Sequence, residues 1–485
     1  MSAPLLALGI VGMVIAGTIG FALVSQRRFA TDPQSYIVGG RRFGAIFLWV
    51  LLAGEVYTSF TFLGAAGWAY GYGAPAYYIL AYGACGYVLG YFFLPAVWRI
   101  GKERGLLTAP DFFADRYANR QLGVAVGVLQ VILTVPYITL QLTGLQILLS
   151  IAGYGQIDAT LAVGIAFVTV ALFVYLTGLR GTAWASVIKD ALVLGAVLFA
   201  GIAIPIRFFG SPAAMFTALL ATHPGRLTLA GGTHPLGDVW YVSTVLLTSI
   251  GFYMGPHSIA AAYSARDGET LRRNAIFLPL YQPVLLLVFF AGFSALLIVP
   301  GLHGTQVDQS FLLVVARYYP AWLLGGIAAA GALAALVPAS ALLLACGSIV
   351  SKNILGDGLG LAQTGRTRLA ATRFSVLAVA LLALGLWLVA RTTLVELLLL
   401  YYNGVTQLMP GFVAAFWWRA VSAPAVIAGI IAGEITATVL AYTAIPFQGI
   451  NPGLLALLVN VTLLCAITLL LPRKEPAAEA TGSLP

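Results

Sequence analysis

Gly178-Leu179-Arg180-Gly181-Thr182-Ala183-Trp184-Ala185-Ser186-Val187-Ile188-Lys189-Asp190 opens an apolar run that continues from Ala191 to Ile206. It sets a lysine and an aspartate about two helical turns inside a stretch long enough to cross a bilayer. A charge at that depth costs at least about 2.5 kcal/mol on insertion scales, so it needs a partner or a purpose. The stretch is a membrane helix carrying a charge it has to account for, and what surrounds it decides both the fold and the use of Lys189.

The rest of the chain is of the same kind. Of 485 residues, 60% are hydrophobic and 8% charged. A soluble domain carries roughly 25% charged residues, so this composition cannot clothe a water-facing surface. The three cysteines (Cys85, Cys346, Cys465) lie in apolar runs at spacings that match no metal site, and their odd number argues against a disulfide framework. The net charge of +9 follows the loops and is no nucleic-acid signal. The first apolar run, Pro4 to Val24, has neither a basic leader nor a small-x-small cleavage site and reads as a retained span. The sequence carries no Gly-rich phosphate loop with Lys-Ser/Thr and no GxSxG, so an enzyme is not expected, nor an ATP-driven pump.

Windows of about 20 apolar residues predict about thirteen spans. They cover 4–24, 45–70, 76–98, 122–150, 159–177, 184–206, 238–262, 275–299, 321–350, 370–390, 394–416, 424–442 and 453–471. One set of loops holds Arg27, Arg28, Arg41, Arg42, Arg99, Lys102, Arg104, Arg116, Arg120 and Arg180. The same set continues with Arg266, Arg272, Arg273, Lys352, Arg366, Arg368, Arg373, Arg419, Arg473 and Lys474. The alternate set holds Arg207, Arg226, Arg317 and Arg391. With an odd count the sets alternate without a break, which predicts an external N-terminus and a cytoplasmic C-terminus in a multi-pass inner-membrane protein. The external connection 207–237 reads as a partly ordered lid and the tail 472–485 as disordered.

Two spans are interrupted. The second contains Ala53-Gly54-Glu55-Val56-Tyr57-Thr58-Ser59 and then Gly64-Ala65-Ala66-Gly67; the seventh contains Ser249-Ile250-Gly251-Phe252-Tyr253-Met254-Gly255-Pro256-His257. Glycine and proline are common in membrane helices, and Gly251-x-x-x-Gly255 alone would pass for a packing seam. Breaks at matching positions of two halves point instead to a transporter's binding site, because irregular backbone survives at membrane depth only when buried in protein or lining a cavity.

In motif after motif the chain resembles the sodium:solute symporter family, and within it the bacterial monocarboxylate permeases. The resemblance is carried by Glu55-Val56-Tyr57-Thr58 with Gly67-x-Ala69-Tyr70-Gly71, Thr108-Ala109-Pro110-Asp111-Phe112 and Pro136-Tyr137-Ile138-Thr139-Leu140-Gln141-Leu142. It continues through Gly178-Leu179-Arg180 with Lys189-Asp190, Pro256-His257-Ser258, Arg272-Arg273-Asn274-Ala275 and the stretch Gly331 to Ser340. It implies an all-α polytopic protein with the inverted-repeat, five-plus-five core of the amino-acid transporter (LeuT-like) fold. The repeats would occupy 45–206 and 238–416, with 1–44 and 417–471 peripheral. It also implies secondary transport by alternating access, with a small monocarboxylate (lactate, pyruvate, propionate, acetate or alanine) and the lipid bilayer as partners, no nucleic acid and no obligatory protein partner.

The departures from the family are informative. Family members carry a Ser-Thr pair that binds sodium where this chain has Pro338 and Ala339, an aspartate where it has Ser186, and often a glutamine where it has Lys189. The former sodium position would lie among Gly54, Tyr57, Ala335, Pro338, Ala339 and Ser186. The expectation is that the Lys189 ammonium, a compact charge with three donors, replaces the ion. Its acceptors would come from the carbonyls of Gly54, Tyr57 and Ala334, the last freed because Pro338 has no N–H. Sodium leaves by diffusion, whereas a lysine must lose its proton, and a low-dielectric interior disfavours a lysine's charged form. Coupling would then run on protons, with Lys189, Asp190 and Glu55 as the proton-handling groups (Glu55 having as its equal alternative a bond to the unwound backbone N–H groups), the proton replacing any cofactor, and sodium the alternative. The plainer reading of Lys189 is a charge that snorkels to the membrane surface or is merely neutralised by Asp190.

For the substrate, the N–H groups and dipoles of the broken helices would hold the carboxylate near Tyr57, Thr58, Phe60, Thr61, Phe252 and Tyr253. Tyr137 and Gln141, one turn apart, would add polar contacts, with Phe60, Tyr253 and Trp68 as apolar wall. His257 reads first as a satisfied packing histidine, with gating or proton relay as the alternative. The rival functions are a sodium-coupled symporter of another small solute and a transporter-like sensor subunit, the latter disfavoured by the short tail.

Overall fold

The computed structural model of the chain describes residues 2–26, 41, 43–361, 365–443 and 448–471, without the side chains of Ser25, Gln26, Glu55, Leu179, Arg180, Arg366 and Tyr442. The loop 27–40 and the tail 472–485 lie outside the described residues, as does the expectation that the tail is disordered. All the named elements are helical, joined by one extended bridge between Phe43 and Ala265.

Ten helices are long and apolar enough to cross a membrane among the described residues, and an eleventh span is the pair Asp238–Gly251 and Pro256–Ser264, bent by 47°. Two more of the expected spans are present as chains of shorter helices. One is Ala45–Val56, a π turn Phe60–Gly64 and Ala65–Tyr72; the other is Leu394–Val405, Thr406–Leu408 and Met409–Trp417. All thirteen expected segments are therefore helical, and the protein is a multi-pass membrane protein. Several helices outrun their apolar windows: the eighth starts at Gly268 and the ninth runs to Gly358. Hydropathy marks the depth of the bilayer, while the helices continue past it with their charged turns in water.

Local chemistry sets the joints. Gly178 alone separates the fifth and sixth spans, with φ 55° and ψ −173°, a conformation open essentially to glycine. Pro256, Pro283 and Pro452 each open a helix, where the missing N–H costs nothing. Thr108 and Thr393 start theirs with capping boxes closed by Asp111 and Glu396. The connection 207–237 is a folded cover, holding the helix Pro212–Thr222 and an Arg226 side chain that donates to the Gly71 carbonyl.

The ninth span is the axis of the bundle. Its apolar window is 94% buried, and it packs on the fourth, the fifth-sixth pair and the first span. Small residues from Ala328 to Ala335 let neighbouring backbones approach it closely, the usual basis of helix association in lipid.

Candidate functional site

The second span stops being helical at Tyr57, whose φ of −86° and ψ of 85° break the ladder. In an unbroken helix the Gly54 carbonyl would take the Thr58 N–H. Here that N–H goes to Thr61 Oγ1 at 2.8 Å. Phe60 N–H is taken by Thr58 Oγ1 at 3.1 Å, and Ser59 N–H by Gln141 Oε1 at 3.3 Å. The donors of this break are thus spent on the protein's own side chains, while carbonyls are turned loose.

Lys189 collects them. Its side chain is fully buried, and Nζ donates to the Gly54 carbonyl at 2.9 Å and the Tyr57 carbonyl at 3.2 Å. Asp190 Oδ1 stands 2.9 Å from the same nitrogen. Two carbonyls accept from the ammonium and a carboxylate lies beside it, and nothing snorkels. The Asp190 contact is an ion pair without hydrogen-bond alignment, as expected of neighbours on one helix. Adjacent residues set out about 100° apart on a helix, yet the lysine is long enough to curl back to the carboxylate. The lysine packs closely on Gly54: a Cβ there would sit 3.2 Å from both Nζ and Ser186 Oγ and press on the ammonium.

The structure therefore gathers Gly54, Tyr57, Ser186, Lys189 and Asp190. The Ala334 carbonyl, expected as a third acceptor, does not receive the lysine. The sixth and ninth spans are tied instead by Thr182 Oγ1 and Ser340 Oγ at 2.8 Å, and Ser186 Oγ points back to the Thr182 carbonyl at 3.0 Å. Ala335, Pro338 and Ala339 are built into the buried ninth span with no side-chain oxygen to offer a cation. Glu55 falls outside the described side chains.

A narrow cavity of about 30 Å³ lies beside this junction, on the order of two or three water molecules in size. Both breaks reach it: Val56 and Phe60 from the second span, Phe252, Tyr253, His257 and Ser258 from the seventh. Tyr137 closes one side. Four of the expected substrate residues (Phe60, Tyr137, Phe252, Tyr253) thus line it. The other four stand behind the wall. Tyr57 donates its hydroxyl to the Tyr281 carbonyl at 2.7 Å, Thr58 and Thr61 cap the break, and Gln141 props Ser59. Trp68 is also outside the lining and donates to Thr393 Oγ1 at 3.3 Å.

Sequence reading missed Tyr82, Tyr87, Tyr401 and Tyr402, which complete the wall. Tyr137 and Tyr401 have ring centroids 5.0 Å apart, and Tyr82 and Tyr402 5.7 Å. The paired tyrosines at 401–402 were the signal available. The break at Gly255 also behaves differently from the one at Tyr57. The helix Pro256–Ser264 begins with no side-chain cap, and His257, expected to be satisfied, has a buried Nδ1 with no hydrogen-bond partner among the described residues.

Two polar clusters sit at opposite ends of the bundle. Asp111 accepts from the Leu107 and Thr108 N–H groups at 2.8 and 3.1 Å, from Asn353 Nδ2 at 2.7 Å, and pairs with Lys352. Burial works against its charge, but Lys352 and these hydrogen bonds outweigh it and hold the carboxyl below its ordinary range. At the other end Asp308 is buried and takes the Leu394 N–H at 2.9 Å, and burial lifts its carboxyl to about 7.

The sodium:solute symporter profile matches residues 36–433, from before the second span to within the twelfth. The chain belongs to the sodium:solute symporter family. An uncharacterized symporter of Bacillus subtilis (strain 168) is 39% identical over 97% of this chain and 98% of its own. A monocarboxylate transport permease protein of Rhizobium johnstonii is 29% identical over 97% and 98%. A solved Na+-coupled sialic acid symporter in a substrate-bound, outward-open state superposes with a TM-score of 0.78 over 98% of this chain and 100% of that one, at 14% identity. That likeness shows the fold, the LeuT-like inverted-repeat core, and the broken second and seventh spans are the helices whose breaks reach the cavity.

Proposed function

We propose that this family member is a proton-coupled symporter that imports short monocarboxylates, with the Lys189 ammonium standing where relatives hold sodium. The observation that carries the reading is the seat of Lys189: a fully buried cation on the Gly54 and Tyr57 carbonyls of the broken span, one residue from Val56 in the cavity wall. A cation there neutralises loose carbonyls as a bound ion would, and it can be emptied only by deprotonation.

The cycle follows from that chemistry. With the ammonium in place, the sixth span grips the second and the break keeps the shape that forms the cavity wall. Loss of the proton takes the charge out of the two hydrogen bonds to the Gly54 and Tyr57 carbonyls and leaves one donor fewer, which weakens the hold on the break; Asp190, within 2.9 Å of Nζ, would take the proton on its way out. A proton entering with a carboxylate anion moves no net charge, so the proton gradient alone would drive accumulation. The small cavity, the aromatic wall and the uncapped helix at Pro256 suit an acid of a few heavy atoms. The distribution of Arg and Lys over the loops supports an inner-membrane protein with an external N-terminus.

The test is uptake of radiolabelled lactate and pyruvate into proteoliposomes under an inward proton gradient or a sodium gradient, with wild type and Lys189→Ala. Accumulation driven by protons alone and lost in the variant is the expected result. Accumulation that requires sodium would overturn the coupling, and no uptake under either gradient would overturn the substrate class.

A further inference from the structure

The seventh-span break presents two unused kinds of hydrogen-bonding group to one cavity. His257 is the second residue of the helix Pro256–Ser264, and its side chain is 7% exposed. Its Nε2 is 3.4 Å from Ser258 Oγ, while Nδ1 has no hydrogen-bond partner among the described residues. A buried polar atom left unpaired is costly, so a group that arrives and bonds it recovers that cost. The helix itself begins at Gly255 with no side-chain cap, and Pro256 has no N–H. The N–H groups of His257 and Ser258 are therefore the first donors of an open helix start, with the positive end of its dipole behind them. Both residues line the cavity.

Gly255 brings these groups together. A Cβ there would lie 2.8 Å from Nδ1 and closer still to the Tyr401 hydroxyl, so the imidazole packs directly over the turn that exposes the N–H pair. The Tyr137 ring fixes its other side, with centroids 5.7 Å apart at 69°. An imidazole clamped in this way keeps its nitrogen at one place relative to the helix start.

Given the monocarboxylate reading, on which this step rests, the carboxylate belongs on the helix start, and the carbon next to it then falls beside the imidazole. We infer that His257 Nδ1 reads the substituent on that carbon, so that the site takes 2-hydroxy and 2-oxo acids in preference to unsubstituted short acids. A ring nitrogen donates or accepts according to its tautomer, so it can meet a hydroxyl or an oxo group. An unsubstituted acid puts a methylene there and leaves the buried nitrogen unpaired. Sites built to bond a polar group discriminate well against analogues lacking it.

The experiment titrates the purified full-length protein with lactate, pyruvate and propionate, reading binding by intrinsic tryptophan fluorescence, for wild type, His257→Phe and His257→Asn. In the wild type, lactate and pyruvate should bind roughly tenfold or more tighter than propionate. His257→Phe should close that gap by weakening the two substituted acids while leaving propionate within about twofold. His257→Asn, whose amide reaches the place of Nδ1, should restore part of it. Equal binding of the three acids by the wild type, or a gap that survives in His257→Phe, overturns the inference while leaving the monocarboxylate reading intact. Failure of the wild type to bind any of the three overturns both.

Discussion

The Lys189 ammonium lies 3.2 Å from the Tyr57 carbonyl, so the sixth span grips the second at the very residue where its helix breaks. Removing that grip should have two separable consequences. Lys189→Ala leaves Asp190 nearly buried without its cation and leaves two carbonyls without a donor. Breaking a buried pair in this way costs about 3–5 kcal/mol. Lys189→Ala with Asp190→Ala removes both charges and should recover much of that loss, since the uncompensated carboxylate is gone. Thermal unfolding in detergent checks the stability arm. Proton-driven uptake should fall to background in both variants; uptake that returned with stability in the double variant would show Lys189 to be structural only.

The cavity wall predicts a division between Tyr137 and Gln141, although they share a helix face. Tyr137 lines the cavity, so Tyr137→Phe should raise the KM for uptake about three- to tenfold, the worth of one hydrogen bond, with little change in stability. Gln141 props the Ser59 N–H from behind the wall, so Gln141→Leu should leave a buried donor unpaired and cost about 1–3 kcal/mol of stability. Uptake kinetics alongside thermal unfolding separate the two. A Tyr137→Phe protein with unchanged KM would remove the tyrosine from the substrate contacts.

The fold was legible because it is written in long-range pattern. Thirteen apolar windows, alternating basic loops and two interrupted spans each register without any knowledge of packing. Lys189 was legible for a related reason: a charge inside a span has to be satisfied, and the candidate acceptors were the carbonyls of a nearby break. What could not be read was which groups the break would consume for itself. Thr58, Thr61 and Gln141 look like substrate ligands in the sequence, yet short polar side chains beside a broken helix find its free N–H groups first. The wall tyrosines escaped for the opposite reason. Tyr82 and Tyr402 belong to spans distant in sequence, and an aromatic residue in an apolar run carries no mark of the face it presents. His257 looked satisfied because most buried histidines are, and only the three-dimensional contacts show one nitrogen without a partner.

At the basic end of the bundle, Asp111 should act as a clasp between the short helix Ala109–Arg116 and the C-terminal turns of the ninth span. It caps its own helix through Leu107 and Thr108 and holds Lys352 and Asn353 across the gap. Asp111→Ala loses cap and pair together and should destabilise by roughly 3 kcal/mol; Asp111→Asn keeps the cap and should lose less. Because the folded carboxyl titrates below its unfolded value of about 3.9, its contribution is present above that pH and is lost as the pH falls through the folded value. Acid unfolding of Asp111→Asn should accordingly be shallower than that of the wild type below about pH 4. Identical acid limbs would show that the ion pair contributes nothing.

Asp308, at the other end, should give the opposite dependence. It sits between the loop that leads into the ninth span and the start of the helix Leu394–Val405. Burial lifts its carboxyl to about 7, the Leu394 N–H partly opposes this, and the nearby Glu396 adds to it. The folded protein thus holds this proton more tightly than the unfolded chain, where an aspartate titrates near about 3.9. Between these values the unfolded state binds fewer protons, so stability falls as the pH rises through the window from about 4 to about 7, and the full penalty persists above it. A shift of about three pH units corresponds to at most about 4 kcal/mol. Asp308→Asn keeps an acceptor for the Leu394 N–H and removes the ionisation. The variant should show the wild type's pH dependence only below about pH 4, and above it should gain on the wild type steadily until it unfolds at a clearly higher temperature at pH 8. The same pH slope in both proteins would mean that Asp308 stays ionised in the fold and that its buried position is compensated by groups other than the Leu394 N–H.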